Sequence, residues 1–114
     1  MSEKKWIKAI PIEDLHRHKF RQIRILSRII AIINFEGEPM ALDGECRHMR
    51  GPLLDGKIEG QTVTCPWHGW QYDLISGACL TEQWAHLRKY ECKIENGWVM
   101  IDLAPLYSAA AEFE

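Results

Sequence analysis

Two short segments, each carrying one cysteine and one histidine, limit what this chain can fold into more than anything else in it. They are Cys46-Arg47-His48 and Cys65-Pro66-Trp67-His68, with sixteen residues between His48 and Cys65. Thiolate and imidazole are donors that zinc and iron both take. Four of them can serve one centre only if two loops face each other, and loops hold such a geometry only on a rigid frame. The local composition suits loops. From Asp43 to Gly77 there are six glycines and two prolines, residues that mark irregular backbone. Gly51, Gly69, Pro52 and Pro66 let the chain turn tightly around the donors.

The flanks supply the frame, and their signals are those of strands. Trp6 to Ile12 alternates loosely, Lys19 to Leu26 and Arg28 to Phe35 are rich in isoleucine, and Met40 to Leu42 is a short apolar run. Glu36-Gly37-Glu38 offers a turn after Phe35. Tyr90 to Ile94 and Trp98 to Leu103 are joined by Asn96-Gly97, a strong hairpin signal because both central residues of that turn need positive φ. No segment shows a sustained 3.6-residue period with caps, so long helices are not expected. The reading is an all-β chain. A single domain spans 1–104, its metal-binding subdomain covers about 43–79, and 105–114 is a flexible tail.

Length and charge narrow the function classes. A chain of 114 residues is one ordinary domain. Fourteen basic residues against sixteen acidic ones give a net charge of −2, which does not suggest a nucleic-acid partner. The longest apolar run, Ile29 to Ile33, is too short to span a bilayer. The N-terminal stretch MSEKKWIKAIPIEDL lacks an apolar run of signal-peptide length and a twin arginine, so a cytoplasmic location is expected. In a reducing compartment, four cysteines point to metal or packing before disulfides.

Two metal centres fit the donors. A single tetrahedral zinc takes two Cys and two His, but its loops usually pair like with like. Here each loop is mixed. A 2Fe–2S cluster with both thiolates on one iron and both imidazoles on the other takes one ligand for each iron from each loop. The spacing favours the cluster, with a structural zinc site as the rival.

The stretch Cys46-Arg47-His48-Met49-Arg50-Gly51-Pro52-Leu53 resembles the first box of Rieske proteins. Cys65-Pro66-Trp67-His68-Gly69-Trp70-Gln71-Tyr72-Asp73, followed by Ser76-Gly77, resembles the second. The resemblance implies an antiparallel β sandwich with a small loop-rich cluster-binding subdomain, and one 2Fe–2S cluster on Cys46, His48, Cys65 and His68. Among the family's branches, an oxygenase α subunit needs a large catalytic domain that 114 residues cannot hold. The respiratory type carries an extra cysteine in each box, where this chain has none between 47 and 64 and has Trp67 in the second. What the resemblance implies is a free-standing ferredoxin, not an enzyme. It would pass electrons from a flavin reductase to a terminal, ring-hydroxylating oxygenase, with redox proteins as partners and no nucleic acid, membrane or small-molecule substrate. The alternative within the class is an electron-transfer subunit of another oxidoreductase.

The ligand set suits that role. Two ferric ions, two sulfides and two thiolates cancel, so with neutral imidazoles the oxidised centre is uncharged, and reduction is easier than with four thiolates. Filled ligand positions leave no open site for a substrate. Two departures from the family pattern stand out. Trp70 replaces a serine whose hydroxyl would bond the cluster in high-potential relatives, while Tyr72 keeps the second such position and can donate to Cys65 or to a sulfide. The proline loop that commonly covers the cluster is replaced by Thr81-Glu82-Gln83-Trp84-Ala85-His86-Leu87. Outside the boxes, the ordinary readings are buried packing for Cys79 and Cys92, surface for His16, His18 and His86, core for Trp6 and Trp98, and a solvated strand face for the basic segment from His16 to Arg28.

Overall fold

The computed structural model describes residues 4–17, 20–47 and 51–106. Ten strands and one short helix, besides a last helical stretch over 104–106, follow the chain among these residues: β1 (Trp6–Pro11), α1 (Ile12–Arg17), β2 (Phe20–Ile25), β3 (Arg28–Phe35), β4 (Glu38–Asp43), β5 (Lys57–Glu59), β6 (Thr62–Thr64), β7 (Gln71–Asp73), β8 (Lys89–Tyr90), β9 (Cys92–Glu95) and β10 (Trp98–Asp102). A single 3-10 turn covers Leu53–Asp55. The strands form three sheets with orders β1-β10-β9, β2-β3-β4-β8 and β5-β6-β7. The pairings within the first and third sheets are antiparallel. The all-β expectation holds, and the long strands lie within a residue or two of where alternation and turn chemistry put them.

The described residues divide into two compact units, one within Met1–Arg21, Ile33–Ala41 and Tyr90–Glu114, the other within Gln22–Ile32 and Leu42–Lys89. The first is built on the β1-β10-β9 sheet. Its β9–β10 hairpin closes on Asn96 at φ 52° and Gly97 at φ 82°, the double left-handed turn that Asn-Gly favours. Ile10, Leu15, Val99, Ile101 and Leu103 are buried in it. Trp6 and Trp98, expected in the core from their strand positions, are instead half-buried. The Lys93 ammonium lies 4.3 Å from the Trp6 ring centroid and that of Lys8 lies 5.4 Å from the Trp98 ring, a cation–π arrangement suited to a partly wet face. Leu106 is buried and its N–H bonds Leu103 O. The rest of the expected tail, 107–114, lies outside the described residues.

Three features escaped the strand reading. Helix α1 is six residues long, too short to show a period. It carries Glu13 and Asp14 in its first turn and His16 and Arg17 in its last, the order that the helix dipole favours. The stretch expected as one strand from Tyr90 breaks at Glu91, so that β8 and β9 belong to different sheets. The short strands β5, β6 and β7 hide in the glycine-rich middle of the chain.

The second unit carries that middle. Ile30, Ala31 and Ile32 of β3 are fully buried in succession, and since neighbours on a strand point to opposite faces, both faces of β3 are covered there. Leu42, Leu53, Val63, Tyr72, Leu74 and Leu87 complete its core. Gly56 has a specific reason to be glycine: a Cβ at this position would meet Thr64 O at 1.7 Å. That close approach lets the 3-10 turn lie against β6. No helix among the described residues is long and apolar enough to cross a membrane.

Candidate metal centre

The two Cys/His loops of the second unit are built alike. In the first, Glu45 pairs with Pro52, and inside that pair the Cys46 N–H donates to Gly51 O at 2.9 Å. In the second, Thr64 of β6 pairs with Gln71 of β7, and inside that pair the Cys65 N–H donates to Trp70 O at 2.7 Å. Each cysteine therefore opens a loop whose backbone closes on the residue five positions on. This shared closure turns both side chains inward. Cys46 and Cys65 are each 1% exposed, and their thiols are close enough to hydrogen-bond each other.

The histidines follow a different rule. His68 lies on the second loop at φ 71°, followed by Gly69 at φ 76°. A left-handed histidine is uncommon and strained by roughly 1 kcal/mol, and here it turns the chain so that His68 is exposed while Cys65, three residues earlier, is buried. His48 lies outside the described residues. Among the described residues, no group of three or more His, Cys, Asp and Glu side chains could hold a metal ion. The structure thus brings together two of the four expected donors, Cys46 and Cys65, and puts a third, His68, at the surface.

The packing around the sulfurs suits soft metal. Burial pushes the Cys65 thiol pKa up, and the neighbouring Cys46 thiol pushes the same way, against a hydrogen bond from the Trp67 backbone N–H. A Cys65 thiol so raised keeps its proton until a cation replaces it. Gly51 lets the first loop reach the second: a Cβ there would stand 3.1 Å from Cys65 Sγ and 3.1 Å from the Trp67 ring. The same indole, with Arg24, Glu45, Pro52 and Asp55, walls an open cleft of about 340 Å³.

Tyr72 is the polar support of the site. It is fully buried on β7, its hydroxyl lies 3.2 Å from Cys46 Sγ, and it accepts the Arg47 N–H at 2.9 Å. Because the Arg47 N–H takes the oxygen's acceptor side, the phenolic hydrogen is available to the sulfur. Burial, then the Cys46 contact, raises the Tyr72 pKa far above its ordinary value, so the group stays a donor. The sequence pointed to Tyr72 as a donor toward Cys65 or a sulfide; the structure directs it to Cys46, because the first loop lies over the hydroxyl end of β7.

The other residues singled out from the sequence take structural places. Cys79 is buried and its sulfur accepts the Glu82 N–H at 3.3 Å. Cys92 lies in the first unit, half-buried, with its thiol pKa pushed up to about 11 by burial, which leaves it little thiolate. The exposed His86 ring would meet a Cβ on Gly77 at 3.4 Å. In the basic segment His16, Arg17, Arg21 and Arg24 are exposed, a solvated face as expected; His18 and Lys19 lie outside the described residues.

The Rieske [2Fe-2S] domain family matches residues 5–91. The ferredoxin component of the naphthalene 1,2-dioxygenase system of Pseudomonas putida is 33% identical over 101 residues, covering 88% of this chain and 97% of the relative. The ferredoxin component of the 2,4-dinitrotoluene dioxygenase system of a Burkholderia strain is 31% identical over 104 residues, covering 90% and 99%. Among solved structures, the ferredoxin of Sphingomonas yanoikuyae B1 superposes with a TM-score of 0.74 at 27% identity, covering 86% of this chain and 98% of that one.

Proposed function

Because the chain belongs to the Rieske [2Fe-2S] domain family, we propose that Cys46 and Cys65 hold one iron of its cluster and His48 and His68 the other, and that the protein carries single electrons in the cytoplasm from a flavin reductase to a terminal, ring-hydroxylating oxygenase. The observation that carries the ligand assignment is the pairing of the two buried thiols at matching positions of two alike loops. Two relatives matched over nearly their whole length are ferredoxin components of dioxygenase systems, which supports an electron-transfer component over a catalyst.

When bound, the cluster supplies a one-electron couple at a potential above that of four-cysteine ferredoxins. The chain's own residues set its surroundings. Cys46 and Cys65 keep the thiolate side dry, and the Tyr72 hydroxyl donates to Cys46 Sγ, where negative charge grows on reduction. Exposed His68 brings the imidazole side to the surface, where a partner's acceptor can approach closely.

Metal analysis and rapid kinetics test the proposal. The purified protein should hold about two irons and two labile sulfides per chain, and alanine at Cys46, His48, Cys65 or His68 should abolish the cluster. One zinc without labile sulfide would overturn the ligand assignment. Mixed with a candidate oxygenase, the reduced protein should reoxidise in a second-order step. If it does so only with another class of oxidoreductase, the oxygenase role fails and the electron-carrier role stands.

A further inference from the structure

The segment after the second ligand loop forms a small closed structure of its own. The Cys79 N–H donates to Ala85 O at 3.3 Å, and the Ala85 N–H donates to Glu82 O at 3.1 Å. The Glu82 N–H donates to Cys79 Sγ at 3.3 Å. Cys79 thus ties the loop through both its backbone and its buried sulfur. The loop is then strapped to Gln71, the residue at which the second ligand loop rejoins β7. Leu80 N–H donates to Gln71 O at 2.7 Å, and Gln71 N–H donates to Thr81 Oγ1 at 3.0 Å.

At the far end of this loop stands Trp84. It is 67% exposed, yet its ring meets Trp70 edge-on, with centroids 5.7 Å apart and planes at 77°. That is a favoured geometry for two aromatic rings. Trp70 is also the residue whose carbonyl closes the Cys65 loop. One residue therefore joins the ligand loop through its backbone and the 79–85 loop through its side chain.

We propose that Trp84 is a positioning residue for the metal centre: held by the 79–85 loop, it braces Trp70 and so keeps the loop carrying Cys65 and His68 closed against water. The inference rests on the ligand assignment above and adds a function for a segment that holds no ligand. One backbone bond from Leu80 and one from Gln71 to the Thr81 hydroxyl fix where the brace starts, and the ring pair fixes where it ends.

The test uses the iron-loaded protein and four variants: Trp84→Ala, Trp84→Phe, Thr81→Val and Leu80→Ala. Iron release to a chelator and the one-electron potential are the two readouts. Trp84→Ala should release iron roughly two- to tenfold faster, the factor that loss of one aromatic pair converts to. Its potential should rise, because water admitted near the sulfurs stabilises the negative charge added on reduction. Trp84→Phe keeps an aromatic edge and should return both readouts toward the parent protein. Thr81→Val loses one strap and should move both in the direction of Trp84→Ala. Leu80 is 56% exposed on the same loop, and alanine there keeps the backbone N–H that bonds Gln71 O, so Leu80→Ala should move neither.

The proposal is overturned if Trp84→Ala releases iron at the parent rate with an unchanged potential, if Leu80→Ala moves both as far, or if Trp84→Phe fails to restore either. Slower transfer to a partner with release and potential unchanged would reassign Trp84 to docking and likewise overturn the brace. If Trp84→Ala cannot be loaded with iron, Thr81→Val decides. The far-ultraviolet exciton signal of the paired indoles reports the brace without metal. A parent protein that shows that signal but binds no iron fails the ligand assignment, and one that binds iron without the signal fails the brace.

Discussion

Tyr72→Phe separates the two jobs of one buried hydroxyl. The hydroxyl accepts the Arg47 N–H at 2.9 Å and faces Cys46 Sγ at 3.2 Å. A hydrogen bond to a charged acceptor is worth about 1.5–3 kcal/mol, and only the part that grows on reduction moves the potential. The added charge is shared among several sulfurs, so about 1 kcal/mol is the differential expected. For a one-electron couple, 59 mV corresponds to about 1.4 kcal/mol, so the variant should have a potential about 40 mV lower. The parent potential should already lie at the low end of the Rieske range, about −150 to 0 mV, because Trp70 has no hydroxyl to offer. Losing the acceptor for Arg47 N–H is a second, separate cost of about 1–3 kcal/mol in folded-state stability. Protein-film voltammetry reads the first quantity and thermal unfolding of the loaded protein reads the second. A potential within about 10 mV of the parent would refute the donation to Cys46. A parent potential above about +200 mV would refute the account of the missing donor.

Three other substitutions probe the frame. Gly56→Ala puts a methyl 1.7 Å from Thr64 O, so the 3-10 turn must leave β6; a loss of about 3 kcal/mol or more in stability and poor cluster loading are expected, and a parent-like melting curve would contradict it. Gly51→Ala meets Cys65 Sγ and the Trp67 ring at 3.1 Å, a milder clash relieved by outward movement of the indole; expect about 1 kcal/mol lost and a changed Trp fluorescence, whereas a stabilised protein would show that Gly51 is not needed for close approach. Asp102 is buried, and although burial works against it, hydrogen bonds from Lys5 N–H and Ala104 N–H with the nearby Lys4 charge hold its carboxyl pKa below the ordinary value of 3.8. A depressed folded-state pKa means that its stabilisation is complete above the unfolded-state value and is lost as pH falls toward the folded one. Acid unfolding of the parent should therefore steepen below about pH 4, and Asp102→Asn should remove that component; an unchanged acid limb would refute the assignment.

The loops of the metal centre were legible because their residue types are scarce and chemically committed: Cys46 sits on a tight loop closed by the Glu45–Pro52 bridge, and Cys65 and His68 on one between the paired strands β6 and β7, as the glycines and prolines around them required. The hairpin at Asn96-Gly97 was legible for a similar reason, since few dipeptides accept two left-handed residues. Strands β5, β6 and β7 were not, because three residues give no measurable period. Nor could local pattern show that Trp6 and Trp98 keep one face wet, that the stretch from Tyr90 splits between two sheets at Glu91, or which sulfur Tyr72 serves. Each of those depends on what lies across space, and a lone aromatic or tyrosine reads the same in either setting. The alike closure of the two loops, the pairing of the thiols, and the meeting of Trp84 with Trp70 were likewise settled only by folding, because they join segments whose separation along the chain carries no signal of contact. Donor chemistry is a property of individual residues and survives in the sequence; hydrogen-bond direction, burial and ring contact are properties of pairs, and pairs exist only once the chain has folded.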